Sequence, residues 1–283
     1  MTDTGRFDGL TVFLSGATGG FGARTAERLA QGGARLVLSD IDPERLEELA
    51  GRLDAETAIL AGDVSQEEHL EAVTALAVDR FGTLDIAINN AGVAQSFVKL
   101  PSLPSDEARR IIDVDLLGVF YAMKHQLPIM ERQNKATGRT AAIVNIASVA
   151  GLAGAQRLSV YAAAKHGVIG LTRSAAAEYA QRGIRCNAVC PSFARTSMVG
   201  DFVKLRGGSE DDALAELTRG VPMKRVAEID EVDSAEQADR RVGHQNLTPM
   251  TGGHQPRRAI KHRAEVIPVA VLRLPRSDSH PDR

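Results

Sequence analysis

Tyr161 and Lys165 stand four residues apart in Tyr161-Ala162-Ala163-Ala164-Lys165, with Ser148 upstream of them. On a helix that spacing puts the phenol and the ammonium on one face, within mutual reach. A nearby ammonium favours the phenolate and lowers a tyrosine pKa that is otherwise about 10. The result is an acid/base able to exchange a proton with an alcohol or a carbonyl near neutral pH. The pair alone carries little information. Its weight comes from a glycine loop at the start of the same chain.

That loop is Ser15-Gly16-Ala17-Thr18-Gly19-Gly20-Phe21-Gly22. Gly16, Gly20 and Gly22 form a G-x-x-x-G-x-G pattern around Thr18 and Phe21. Glycines let a backbone approach a pyrophosphate, and the helix that follows offers N–H groups and a partial positive charge. A tight strand-to-helix turn without a ligand is the plain alternative. Asp40 ends the next strand pattern, 18 residues beyond Gly22. A carboxylate there accepts both hydroxyls of an adenosine ribose and repels a 2′-phosphate. Its neighbours Ser39 and Ile41 carry no compensating cation, while Asp42 before Pro43 serves as the helix cap. The expected cofactor is NAD rather than NADP.

The elements that must hold these residues are legible from periodicity. Short apolar runs at 10–14, 35–40, 58–60, 84–88, 141–146 and 185–189 predict buried strands. Helical patterns separate them at 23–32, 44–53, 67–81, 106–132 and 161–181, the fourth expected to break or bend at Pro128. Strict alternation predicts an α/β fold: one doubly wound parallel sheet with helices on both faces. Ligands in such sheets bind beyond the carboxyl ends of the strands.

Composition narrows the partners. A net charge of −2 gives no reason to expect nucleic acid, and no apolar stretch is long enough for a membrane span. The polar start Met1-Thr2-Asp3-Thr4-Gly5-Arg6 does not read as a signal peptide, so a cytoplasmic location is expected. Cys186 and Cys190, four residues apart on a strand, would lie on one face at roughly 13 Å, too far for a disulfide. They read as buried strand cysteines, with no metal site.

Residues 1–232 are expected to form the dinucleotide-binding catalytic domain. The segment 233–283 differs: nine Lys/Arg against six Asp/Glu, four of the seven His and five of the eleven Pro. It reads as an atypical basic, proline-rich tail that is poorly ordered. The apolar run from Val266 to Leu272 is demoted to an edge strand or loop by Pro268.

Taken together, residues 10 to about 232 resemble the short-chain dehydrogenase/reductase family. The likeness runs through the glycine loop, Asp63-Val64, Asn89-Asn90-Ala91-Gly92, Ser148, Tyr161-x-x-x-Lys165 and Pro191 to Thr196, in that order. It implies a Rossmann-like sheet and an NAD-dependent oxidoreductase interconverting a secondary alcohol and a ketone, working as a dimer or tetramer. It also implies roles. Asp63 would bond the adenine with Val64 beside it, and Asn90, Ala91 and Gly92 would line the cofactor cleft. Tyr161 would be the acid/base, Ser148 would hold the substrate oxygen, and Lys165 would bond the nicotinamide ribose and lower the Tyr161 pKa. Pro191, Ala194 and Thr196 would anchor the carboxamide.

Three positions depart from the family pattern. Asp115 stands where a helix asparagine is usual, which places a carboxylate near Lys165 and weakens its pull on Tyr161. Ser192 replaces a glycine after Pro191. The tail lacks the apolar pattern of the usual last helix and strand, so the final strand is expected to be missing. A non-catalytic, dinucleotide-binding regulatory protein of the same fold is therefore the rival reading. The segment 199–221, with Phe202, Leu205, Leu214 and Leu217, is expected to cover a nonpolar or cyclic substrate.

Overall fold

Val12, Phe13 and Leu14 are wholly buried in β1 (Thr11–Ser15), and side chains alternate between two cores. Phe13 joins Val37, Ile143 and Cys186 on one face of the sheet; Val12 and Leu14 join Leu36, Leu38 and Val144 on the other. A strand reads as one apolar run because both of its faces are covered. The computed structural model describes residues 5–195, 199–200, 209–218, 224–227 and 266–269.

Around β1 lie β2 (Arg35–Asp40), β3 (Thr57–Ala61), β4 (Ile86–Asn89), β5 (Ala141–Ile146), β6 (Ile184–Pro191) and β7 (Val266–Val269). All pair in parallel, in the order β3-β2-β1-β4-β5-β6-β7. The helices are α1 (Gly20–Gln31), α2 (Pro43–Arg52), α3 (Glu67–Phe81), α4 (Ser105–Ile112), α5 (Gly118–Thr137), α6 (Ser159–Tyr179) and α7 (Glu210–Thr218). The sheet order reverses between β1 and β4. This is the switch point where a cleft opens at the carboxyl ends of the strands.

Two expectations are corrected. The long helical stretch does not break at Pro128, which is accommodated inside α5. It breaks at a π turn, Asp113–Leu117, between α4 and α5. Such a turn inserts a residue and re-aims its side chains, a common arrangement at functional sites. The second correction is in the tail. Val266–Val269 pairs with β6 from Ala188 to Pro191 and supplies a seventh, edge strand, where the usual final strand was expected to be missing and this run to be an edge strand or a loop. Pro268 is tolerated because, among the described residues, β7 has a neighbour on one side only. The remaining tail expectations concern residues outside those described.

The sheet is locked at two depths. Toward the site, Asn89 Nδ2 donates to Asn145 Oδ1 at 2.8 Å, and Asn145 Nδ2 donates to Thr172 Oγ1 at 2.9 Å. Gln126 Nε2 donates to Asn89 Oδ1 at 2.9 Å, so β4, β5, α5 and α6 share one buried polar network. At the opposite end of β1, Asp85 accepts from Thr11 N at 2.9 Å and from Arg139 at 2.5 Å. Among the described residues, no helix is long and apolar enough to cross a membrane.

Candidate active site

At the switch point lies a cleft of about 1310 Å³. That exceeds the range of about 300–1,000 Å³ for drug-sized pockets and suits a dinucleotide with a second molecule beside it. Gly16 turns the chain at one end with φ 63°; a Cβ there would meet the Ala91 backbone at 2.8 Å. Asn90 closes this contact, with Nδ2 donating to Ser15 O at 3.1 Å and Gly16 O at 3.0 Å. Helix α1 then begins after its N-cap Gly19, without a side-chain cap or an acidic first turn, so its N-terminus presents positive potential to the cleft.

Gly16, Thr18, Gly20 and Phe21 line this end, together with Asp40, Ile41, Asp63 and Val64. Gly22 does not. A Cβ on it would collide with the Gly16 carbonyl, so its smallness serves the packing of α1 against the loop. Asp40 is fixed from both sides: Oδ2 accepts from Thr18 N at 2.8 Å and Oδ1 from Ile41 N at 2.8 Å. The structure adds a residue that sequence reasoning missed. Arg45 lines the same rim and donates to Thr18 O at 2.8 Å, so a cation and a carboxylate flank Thr18. A signal existed, because Arg45 occupies the first turn of α2, where the helix dipole disfavours a cation.

At the other end, Ser148, Tyr161 and Lys165 share the wall with Asn90, Ala91, Gly92, Pro191 and Ala194. Ser148 follows β5, and its Oγ accepts from Ala150 N at 3.1 Å. Tyr161 and Lys165 come from the first two turns of α6, as their spacing predicts. Lys165 Nζ lies 5.5 Å from the centroid of the Tyr161 ring and donates to Ile146 O at 3.2 Å. Thr196 is outside the described residues, as are 201–208 and 219–221 of the segment expected to cover the substrate.

Asp115 lies behind this wall, in the π turn, wholly buried and outside the cleft lining. Its Oδ1 accepts from Val93 N at 2.7 Å, and its Oδ2 sits 3.9 Å from Lys165 Nζ. A Cβ on Gly92 would lie 3.2 Å from Asp115 Oδ1 and 3.4 Å from Lys165 Nζ, so glycine leaves room for both groups.

The charges follow from this burial. Burial pushes the Asp115 carboxyl up, and the Lys165 ammonium only partly opposes it. Burial disfavours the Lys165 ammonium, yet Asp115 and Tyr161 together hold its pKa above the ordinary value. For Tyr161, burial pushes the phenol up. Lys165 pulls it down, Asp115 pushes it up again, and Ser148 favours the phenolate through a hydrogen bond. The net direction is upward, the reverse of what the Tyr–Lys spacing alone predicts. Cys186 and Cys190 both lie buried on β6, with thiols pushed by burial up to about 12 and about 11.

The comparisons with known proteins agree with this architecture. A family model described as enoyl-(acyl carrier protein) reductase matches residues 16–236. Cyclohexanol dehydrogenase of Acinetobacter sp. (strain SE19) is 37% identical over 230 residues, spanning 80% of this chain and 86% of that one. The crystal structure of levodione reductase superposes with a TM-score of 0.77 at 35% identity, covering 82% of this chain and 91% of the other. A 3-ketoacyl-(acyl-carrier-protein) reductase from Brucella melitensis, complexed with NADH, gives a TM-score of 0.74 at 28% identity, with 82% and 90% covered. The chain belongs to the short-chain dehydrogenase/reductase family and is an oxidoreductase acting on CH–OH groups.

Proposed function

We propose that the protein is an NAD-dependent oxidoreductase that interconverts a secondary alcohol and a ketone, with Tyr161 as the proton carrier. One observation carries this reading: a single cleft joins the α1 N-terminus and Asp40 at one end to Ser148, Tyr161 and Lys165 at the other. The residues fit a dinucleotide, since Gly16 leaves the backbone bare where a pyrophosphate would rest and Asp40 is held in place for ribose hydroxyls. Bound there, NAD supplies the acceptor or donor of hydride.

The chain's own residues do the rest. Ser148 holds the substrate oxygen beside Tyr161, and Tyr161 takes up or delivers the proton as that oxygen changes between hydroxyl and carbonyl. Lys165 favours the phenolate and reaches toward the nicotinamide ribose. Asp63 and Val64 bound the adenine, and Pro191 and Ala194 border the carboxamide. NAD is preferred over NADP because Asp40 repels a 2′-phosphate at close range.

The substrate end carries Phe97, Val149, Leu158, Phe193 and Val199, which favours a nonpolar or cyclic alcohol. The likeness to a cyclohexanol dehydrogenase points the same way. Self-association belongs to the same reading and is supported by Phe120, which stands 41% exposed on α5. NADH absorbance during incubation with a panel of cyclic secondary alcohols tests the activity. The rival, a binding protein without turnover, is favoured by the Asp115 charge, which opposes ionisation of Tyr161. Binding of NADH without turnover of any alcohol in the panel would establish it.

A further inference from the structure

Helix α6 carries the proposed acid/base in its first turn but has no capping side chain of its own. Leu158 is the N-cap residue, and a leucine side chain cannot accept a hydrogen bond. The acceptor comes from far along the chain. Gln95 Oε1 accepts from Val160 N at 3.0 Å and from Tyr161 N at 2.9 Å. Gln95 Nε2 donates to Arg157 O at 3.0 Å, in the loop that leads into the helix. Gln95 is 6% exposed, so these bonds face little competition from water.

The same loop is held a second time. Arg157 has φ 64°, a left-handed conformation uncommon for a residue with a side chain. Its guanidinium lies 5.3 Å from the centroid of the Phe97 ring, two residues beyond Gln95. The segment after β4 therefore grips the entry to α6 at both its backbone and a side chain.

We propose that Gln95 is a positioning residue for Tyr161: a distant cap that fixes the first turn of α6 and so places the phenol against Ser148 and Lys165. The proposal rests on the reading of Tyr161 as proton carrier. Tyr161 is the third residue of the helix, and its own N–H is one of the two bonds that Gln95 accepts. Without the acceptor, both N–H groups lose their partner and the turn frays. A displacement of about 1 Å at a reacting group can cost about a hundredfold in rate.

The test compares Gln95→Leu, which removes the acceptor at similar volume, with Gln95→Glu, which keeps an acceptor oxygen. Three quantities are measured: amide hydrogen exchange at Val160 and Tyr161, NADH affinity by fluorescence titration, and kcat and KM with a secondary alcohol. Gln95→Leu is expected to speed exchange at the two amides about tenfold or more. It should lower kcat about 10- to 100-fold and leave NADH affinity within about twofold. Gln95→Glu should restore slow exchange and most of kcat. Unchanged exchange and kcat in Gln95→Leu would overturn the proposal, and so would equal losses in both variants. Loss of NADH affinity in step with kcat would also overturn it, because that pattern marks general loss of packing. A wild-type chain without turnover, showing the same exchange response, would defeat the proton-carrier reading and leave the helix clamp supported.

Discussion

Asp115 Oδ2 lies 3.9 Å from Lys165 Nζ in the protein interior, and among the described residues no hydrogen-bond donor reaches that oxygen. The other oxygen is satisfied by Val93 N, so the carboxyl is half-bonded beside a buried cation. Asp115 opposes ionisation of Tyr161, whereas Lys165 assists it.

Asp115→Asn should therefore lower the Tyr161 pKa and move the acidic limb of the pH–rate profile for alcohol oxidation downward. The amide keeps an acceptor for Val93 N and removes the charge. A profile identical to that of the wild type would show that Asp115 stays neutral across the range. The variant should also be the more stable one at neutral pH. The native pKa of Asp115 is raised, so the stability linked to its protonated form is present below the unfolded value and is lost as pH rises through the native one. The Tm difference should thus widen in favour of Asp115→Asn from acidic to neutral pH.

Tyr161→Phe should reduce kcat about 10²- to 10⁴-fold, the usual scale for removing a general acid/base. NADH affinity should change little, because only the ionisable oxygen is lost. Retention of more than a few per cent of kcat, in roughly the sense of that scale, would remove Tyr161 from its role. Lys165→Ala should lose both cofactor affinity and rate.

Asp40 and Arg45 flank Thr18, and on the proposed reading they would set the choice between NAD and NADP. The ratio of kcat/KM for NAD over NADP should exceed one in the wild type and narrow in Asp40→Ser. Arg45→Leu in the Asp40→Ser background should weaken NADP again and leave NAD nearly unaffected, since only the 2′-phosphate of NADP would have met the guanidinium that is removed. A wild-type preference for NADP would sink the assignment of Asp40.

Asp85→Ala should be among the most destabilising single changes in the sheet. Its carboxylate is 3% exposed and accepts from Thr11 N, Thr83 Oγ1 and Arg139. Removing it leaves the buried Thr11 N–H without its partner, a loss of about 1–3 kcal/mol, to which the partly exposed Arg139 adds little because water and Gly9 O still meet its guanidinium. Urea unfolding measures it, and a midpoint unchanged from the wild type would refute the latch.

Truncation after Val232 should bare the edge of β6 from Ala188 to Pro191 by removing β7. An uncovered parallel edge invites association. The expected outcome is a lower Tm and a rise in light scattering at concentrations where the full chain is clear.

The sequence alone determined the strands, because a strand buried on both faces must be apolar throughout; Val12-Phe13-Leu14 and Ile143-Val144 could be nothing else. It also determined which residues share α6, since the four-residue period of a helix fixes Tyr161 and Lys165 on one face whatever surrounds them. Tertiary structure decided everything that depends on what burial does to charge. The Tyr161 phenol goes up because low-polarity surroundings outweigh one ammonium, a balance no spacing reveals. Tertiary structure likewise placed the helix break at Asp113–Leu117 and left Pro128 inside α5, where propensity alone put the break. It recruited β7 from a tail whose composition reads as unstructured, because pairing with β6 supplies partners that a local pattern cannot show. And it brought Gln95 to the first turn of α6 across 66 residues, a hydrogen bond that exists only once the sheet has set the two loops side by side.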